Sequence, residues 1–354
     1  LRGPRPAPAE VVVVALDRSL SPFLFLDAST AMADIAANRQ VVVDRAIAGG
    51  GGWFASAPAY LVMLWRDAAG WPVIVLAAIG SVILARQSWR RAVLVLAFPI
   101  VFLAFIGNTV PMGRYLNPVL PFVAALAGLA VSAISTTAGR RRVWLATGLA
   151  VTAALPGLTA SVRADAFFRQ TDTRSLALAF IERTIPPGTT IAVQPYSVPL
   201  TQSRDSLVES LRAHLGDERR ASIKFQIRLA LDPYPAPAYR LIFIGDGGLD
   251  ADKIYVSYRA FDAPDGLGAL RAVGVTYVVV KRYNVDDPGS VRLVAALAAE
   301  ARLVARFSPY RPDAEPSAIA AAAPFLHNTD ARISAVLERP GPIVEIWSID
   351  APGP

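Results

Sequence analysis

Residues Gly113–Gly139 read GRYLNPVLPFVAALAGLAVSAISTTAG, and after Arg114 no charge appears until Arg140. At a rise of about 1.5 Å per residue, a helix of that length reaches across a bilayer core of about 30 Å. Arg114 and Tyr115 stand at the mouth of the run, with Pro118 and Pro121 a short way in. Proline removes a backbone donor and bends a helix, though in a first turn it merely begins one, so the stretch reads as a polar, kink-prone entrance to a membrane span. Working outward, Ala68–Ala85, Ala92–Gly113 and Val143–Val162 are also uncharged. Together they predict four transmembrane helices at about 68–85, 92–113, 115–139 and 143–162. Gly70, Trp71 and Pro72 suit an interfacial start for the first of them.

The connections set an orientation. Arg86, Arg90 and Arg91 lie between the first two spans, and Arg140, Arg141 and Arg142 between the last two, whereas NTVPMGR between the second and third carries one arginine. Positively charged loops stay in the cytoplasm. The segment around 108–114 and everything after about 163 is therefore expected on the outer face. Ala46–Trp65 is uncharged too, but it contains Gly49–Gly52 and Pro58. A fifth span there would reverse the side of entry. Phe54–Trp65 is read instead as a helix lying on the outer surface, with Trp53, Tyr60 and Trp65 at headgroup depth.

Composition agrees. The 354 residues are 54% hydrophobic and only 18% charged, less charge than soluble domains carry, and the mean hydropathy is +0.41. The net charge of +7 falls largely on arginines placed as membrane anchors, so no nucleic-acid partner is expected. The absence of cysteine excludes disulfides and thiolate metal sites. The chain opens LRGPRPAPAE without a methionine and reads like the middle of a longer protein.

Three regions follow: 1–67, an outer-face loop with the interfacial helix; 68–163, the spans; and 164–354, where charge returns and apolar runs shorten. In the last, Ser175–Thr184 has helical spacing, ended by Pro186-Pro187-Gly188. Thr190–Gln194, Leu241–Gly245, Val275–Lys281 and Ile343–Ile349 read as strands. Leu267–Val273, stopped by Gly274, and Val291–Ala305 read as helices, and Ser308–Asp330 as a loop with one short helix. The fold class expected is a multi-pass α-helical membrane region followed by an extracytoplasmic α/β domain with a partly parallel sheet.

Chemistry-bearing motifs are sparse. His214 and His327 lack ligand spacing, and no GxSxG turn supports a serine triad. The GDGG run at 245–248 lacks the full GxGxxG pattern and reads as a turn, as does Asp286-Asp287-Pro288-Gly289. Asp172-Thr173-Arg174 reads as a helix N-cap. Arg114 and Tyr115 admit two readings. They suit an interfacial anchor, which spacing alone favours. They also suit a cation placed for a lipid phosphate, since the guanidinium fork can donate two hydrogen bonds to phosphate oxygens.

SPFLFLD at Ser21–Asp27, GWPVIVLAAIG at Gly70–Gly80, GRYLNPVLPF at Gly113–Phe122 and DTRSLALAFIERTIPPGTTIAV at Asp172–Val193, in that order, resemble polyprenyl-phosphate-sugar-dependent glycosyltransferases of the GT-C fold. These are the protein-mannosyltransferase-like and aminoarabinose-transferase-like enzymes (glycosyltransferase family 39 or 83 type). The resemblance covers most of the chain and corresponds to the C-terminal portion of such an enzyme. It implies an integral inner-membrane protein moving a sugar, with inversion, from a polyprenyl-phosphate donor to a lipid, glycan or protein acceptor on the outer face. It also implies an acidic residue in a first outer loop, acting as base or metal ligand. That loop precedes the part that resembles this chain. Asp17, Asp27 and Asp34 come too late to match it, so no catalytic residue is assigned, no cofactor is evident, and any divalent metal is expected through that preceding region. Arg114 and Tyr115 become the candidate contacts to the donor phosphate. The competing reading is a non-catalytic, membrane-anchored binding or scaffolding protein. A transporter fits less well, because its spans would carry ionisable residues at mid-depth.

Overall fold

The computed structural model describes residues 54–136, 141–247, 250–263, 265–283, 286, 288–322 and 333–349, with the single residues 29, 32, 33 and 36. Ser21–Asp27, Asp34, Gly49–Trp53 and His327 lie outside the described residues. The chain divides into two compact units, and the main boundary falls between Ala160 and Ser161.

In the first unit, α1 (Ala57–Met63) runs into a π-turn at Leu64–Ala68, and α2 follows over Trp71–Gln87. Gly70, at φ +81°, precedes α2 and Pro72 sits in its first turn, where a missing N–H costs nothing. Only Ser88 separates α2 from α3 (Trp89–Ile106). Arg86 therefore closes one helix and Arg90 and Arg91 open the next, so these arginines are helical rather than in a loop. The helices α4 (Leu120–Thr136) and α5 (Arg142–Phe168) complete the set.

The expected boundaries change around the opening motif. Residues 107–112 leave the helix, Gly113–Leu116 forms one 3-10 turn, and α4 starts only at Leu120. Pro118 lies before α4 and Pro121 in its first turn, so the prolines begin a helix instead of kinking one. Among the described residues, two helical stretches are long and apolar enough to cross a membrane: Trp89–Ile106 and the run that starts at Val143. The helices α2 and α4 have 17 residues each, about 26 Å, at the short end of the range for a membrane span. The helical segment Ala57–Ala68, which overlaps the surface helix expected at Phe54–Trp65, meets α2 at a bend of 110°. That pair has the geometry of a broken span or a re-entrant loop.

Close packing holds α2 against α4. A Cβ on Gly80 would stand 1.9 Å from the Leu126 carbonyl oxygen, so the two backbones touch where only glycine fits. Leu76, Ala77, Val123, Ala127 and Ala130 are buried around this contact.

The second unit is built on a six-stranded mixed sheet. Its strands are β1 (Thr190–Val193), β2 (Arg240–Ile244), β3 (Tyr255–Val256), β4 (Tyr277–Arg282), β5 (Arg302–Phe307) and β6 (Ile343–Ser348), in the order β3-β2-β1-β4-β6-β5. The first four are parallel, and β6 and β5 add an antiparallel edge. Alternate residues serve two cores. Ile191, Val193, Leu241 and Val279 pack with Ala177 and Ile181 of α6 (Thr173–Thr184). Ala192, Ile242, Val278 and Val280 pack on the other face with Leu293 and Leu297. Burial on both faces explains why these strands read as unbroken apolar runs.

Asp172 caps α6, accepting from the Arg174 N–H at 2.8 Å, as its spacing predicts. Two expectations need correction. The helix read as Val291–Ala305 is α10 (Pro288–Glu300), and the remainder is strand β5. The chain turns at buried Ala301, and RLVARF supplies β6 with its second neighbour. The second half of the expected Asp286–Gly289 turn is helical, since Pro288 is the first residue of α10 and Gly289 is buried in it, while Asp287 lies outside the described residues. Glu345 of β6 is buried beside Arg306 at 3.4 Å and Arg282 at 3.6 Å; pairing is what makes a buried carboxylate tolerable. The helices α7 (Arg204–Leu215), α8 (Ile223–Leu229), α9 (Gly268–Ala272) and α11 (Pro316–Ala321) cover the sheet connections.

Replacing Gly80 by valine is expected to force α2 and α4 apart and destabilise the protein by at least about 1–3 kcal/mol, the usual range for overpacking. Thermal unfolding of the purified variant measures this, and an unchanged midpoint would contradict the contact.

Candidate functional site

Tyr60 of α1 organises the segment that carries Arg114. Its hydroxyl lies 2.9 Å from Thr109 Oγ1, donates to the Val110 carbonyl at 3.0 Å and accepts from the Met112 N–H at 3.2 Å. Leu116, buried with Tyr60, Leu64 and Ile106, pins the other end, and Tyr115 packs on the same cluster. Between these anchors Arg114 is exposed, its guanidinium 5.4 Å from the centre of the Tyr115 ring. One guanidinium nitrogen lies 3.4 Å from the Met112 sulfur, and no carboxylate among the described residues pairs with it. The ring attracts the cation from one side and leaves the remaining guanidinium N–H groups able to donate. The two sequence-predicted residues thus act as one cation–aromatic pair on a short rigid turn.

The second unit holds a separate feature. In the order β3-β2-β1-β4 the connections leave β1 in opposite directions, and open α/β sheets bind ligands outside the strand ends at such a switch point. Here Gln194, directly after β1, fills it. Its Oε1 accepts from the Lys281 N–H at 2.7 Å, and its Nε2 donates to Tyr258 at 2.7 Å and Ser290 at 2.9 Å. The cleft is displaced onto the α6 side of the sheet, with a volume of about 510 Å³. The loop Pro195–Pro199, Phe243 of β2, Lys253 and the first turn of α6 line it.

Its polar groups come in pairs. Arg174 donates to both Asp172 oxygens, at 2.9 and 2.7 Å. Lys253 donates to Asp250 at 2.9 Å and lies 5.4 Å from the Phe243 ring. The hydrogen bond from Lys253 holds the Asp250 carboxyl below its ordinary value. Burial pulls the Lys253 ammonium down, but its bond to Asp250 and the charges of Tyr255, Asp250 and Asp252 leave it above its own. The loop residue Tyr196 has φ +64°, a left-handed conformation rare for a bulky side chain, and is 85% exposed. Sequence reasoning missed this loop. The QPYSVP string carries no motif, and the glycine usually found at positive φ is absent.

The remaining candidates are structural. Gly245 and Gly247 have positive φ and belong to a bend in which Asp246 accepts from Ser257 at 2.7 Å; Gly248 lies outside the described residues, and among those described no phosphate-cradling helix follows. His214 Nδ1 is 2.9 Å from the carbonyl of Ser210, one turn back in α7. Among the described residues no cluster of His, Cys, Asp or Glu could hold a metal. No protein-family model matches the chain, and neither the curated proteins nor the solved structures include a match to it.

The Lys253–Asp250 pair has a definite pH signature. A depressed carboxyl contributes stability above its ordinary pKa of 3.8 and loses it as pH falls through the folded value. A raised ammonium contributes below 10.5 and loses it as pH rises past its folded value. The contribution is thus full between those limits and, for a partly exposed pair, no more than about 1 kcal/mol. Lys253→Met should move the Asp250 titration, followed by carboxyl NMR, upward toward its ordinary position; an unmoved titration would refute the coupling.

Proposed function

We propose that this chain is the C-terminal part of a multi-pass inner-membrane glycosyltransferase of the polyprenyl-phosphate-sugar-dependent GT-C type, with Arg114 contacting the donor phosphate and Tyr115 shaping that contact. The observation that carries the reading is the presentation of Arg114. It is an exposed guanidinium over the Tyr115 ring, lacking a carboxylate partner among the described residues, on a turn anchored by Tyr60 and Leu116. A lone interfacial anchor needs only a charge that can reach headgroups. A stacked fork suits a defined phosphate. The ordered motifs and the two apolar helices of spanning length support the same reading.

In this arrangement the arginines Arg86, Arg90 and Arg91, and those at 140–142, lie on the cytoplasmic side, and Arg114 and the α/β unit face outward. Arginine neutralises the phosphate while the polyprenyl chain remains in lipid, so the sugar is offered at the outer surface. The base, or a divalent metal, is assigned to residues preceding those described. The acceptor is a lipid, glycan or protein reached from the outer face.

The test is a transfer assay on the protein expressed from its full coding sequence, with labelled polyprenyl-phosphate sugars. Arg114→Ala is expected to lower kcat/KM for the donor by about 10- to 100-fold, the loss of one charge-assisted phosphate contact of about 1.5–3 kcal/mol. Arg114→Lys should restore part of it, because lysine keeps the charge but not the fork. Unaltered kinetics in a normally folded Arg114→Ala protein would count against the assignment.

A further inference from the structure

We propose that the cleft beside β1 is a carbohydrate-binding site that takes a neutral saccharide stacked on Tyr196. The proposal does not depend on the transferase reading, since a non-catalytic envelope protein could use the same site.

Three observations carry it. The first is Tyr196. A bulky residue at φ +64° stores backbone strain, and strain of this kind persists where the surroundings impose it. Here Ser197 imposes it, donating twice to the Gln194 carbonyl, from its N–H at 3.1 Å and from its hydroxyl at 2.6 Å. The strained turn holds the ring out, 85% exposed, where it buries little apolar surface that could offset the cost. The Lys281 ammonium lies 5.4 Å from the ring centre and donates to the Pro195 carbonyl at 2.7 Å. The ring is therefore oriented from within the protein while the residue stays open to solvent.

The second observation is the charge balance. Asp172 pairs with Arg174 and Asp250 with Lys253, and Lys281 is committed to a carbonyl and a ring. The wall thus offers donors and acceptors side by side, and each of its cations is already held by a carboxylate, a carbonyl or a ring. A nucleotide or free phosphate would ask for surplus cations or a glycine-rich loop, and the loop after β1 reads QPYSVP. A polyol needs the mixture that is present, since each hydroxyl both donates and accepts.

The third is shape. A volume of about 510 Å³ lies within the usual range for small-ligand pockets. The aromatic face of Tyr196, with Phe243 and the prolines Pro195 and Pro199 in the lining, suits the apolar C–H face that a pyranose presents opposite its hydroxyls.

The experiment is saturation-transfer NMR on the full chain in detergent, with the neutral disaccharides cellobiose, maltose, mannobiose and chitobiose as probes and uridine monophosphate as the anionic comparison. At least one disaccharide should bind, and Tyr196→Phe, which keeps the ring, should bind it within about twofold of the parent, since stacking contributes more than a solvated hydroxyl. Tyr196→Gly removes the ring and also relieves the positive φ. It should unfold no earlier than the parent yet bind the disaccharide at least about tenfold more weakly, a loss of about 1.4 kcal/mol. If the ring were merely structural, Tyr196→Gly would unfold earlier and leave binding untouched. That result would overturn the proposal, as would binding of none of the disaccharides, or binding of uridine monophosphate in preference to them.

Discussion

Strand β1 is paired in parallel on both edges and covered on both faces, and the α/β unit is arranged around that constraint. A strand with no free edge can release the chain only at its carboxyl end. The first residue past that end, Gln194, enters the sheet interior and must satisfy every polar atom it brings. It does so through Lys281, Tyr258 and Ser290, which tie β4, the segment after β3, and α10 to one amide. With that position filled, the loop that follows has to turn sharply, and the left-handed Tyr196 is the outcome. The cleft, the exposed ring and the paired charges around it are consequences of how β1 ends.

The first unit rests on a different constraint, the close approach of two backbones. Gly80 lets α2 lie against Leu126 of α4, and the small residues beside it fill the seam. In apolar surroundings such contact supplies the dispersion energy that hydrophobic burial supplies in water. The Tyr60 clamp works in the same unit by hydrogen bonding. It binds the polar segment between α3 and α4, so that Arg114 sits on an ordered turn and not on a loose loop. A guanidinium held on a ring and one drifting in solvent carry the same charge, but only the first has a fixed direction in which to donate.

Much of this was legible in advance. The uncharged stretches locate α2 to α5, because charge cannot be buried without a partner. The strand at Thr190–Gln194, the cap at Asp172 and the stop at Gly274 follow from local rules that need no tertiary context. The errors came where local rules compete. Val291–Ala305 keeps its alanine and leucine content past Glu300, yet β6 requires a second neighbour, and long-range pairing overrides helix propensity. Pro118 and Pro121 admitted either a bend or a helix start, and only the structure, with α4 beginning at Leu120, decided for the start. The helix α7 announces itself with Ser203 before it and the left-handed Gly216 after it, signals present in the string.

What the amino-acid sequence determined by itself is where apolar and polar segments lie, where helices start and stop, and which residue types stand at the ends. These depend on interactions between residues a few positions apart. The tertiary structure alone decided that Arg114 stacks on Tyr115 beneath a clamp from Tyr60, that Gln194 fills the switch point, and that Tyr196 is turned outward beside two closed ion pairs. Those arrangements join residues far apart along the chain, and a side chain's direction is set by what packs behind it, which no local pattern records.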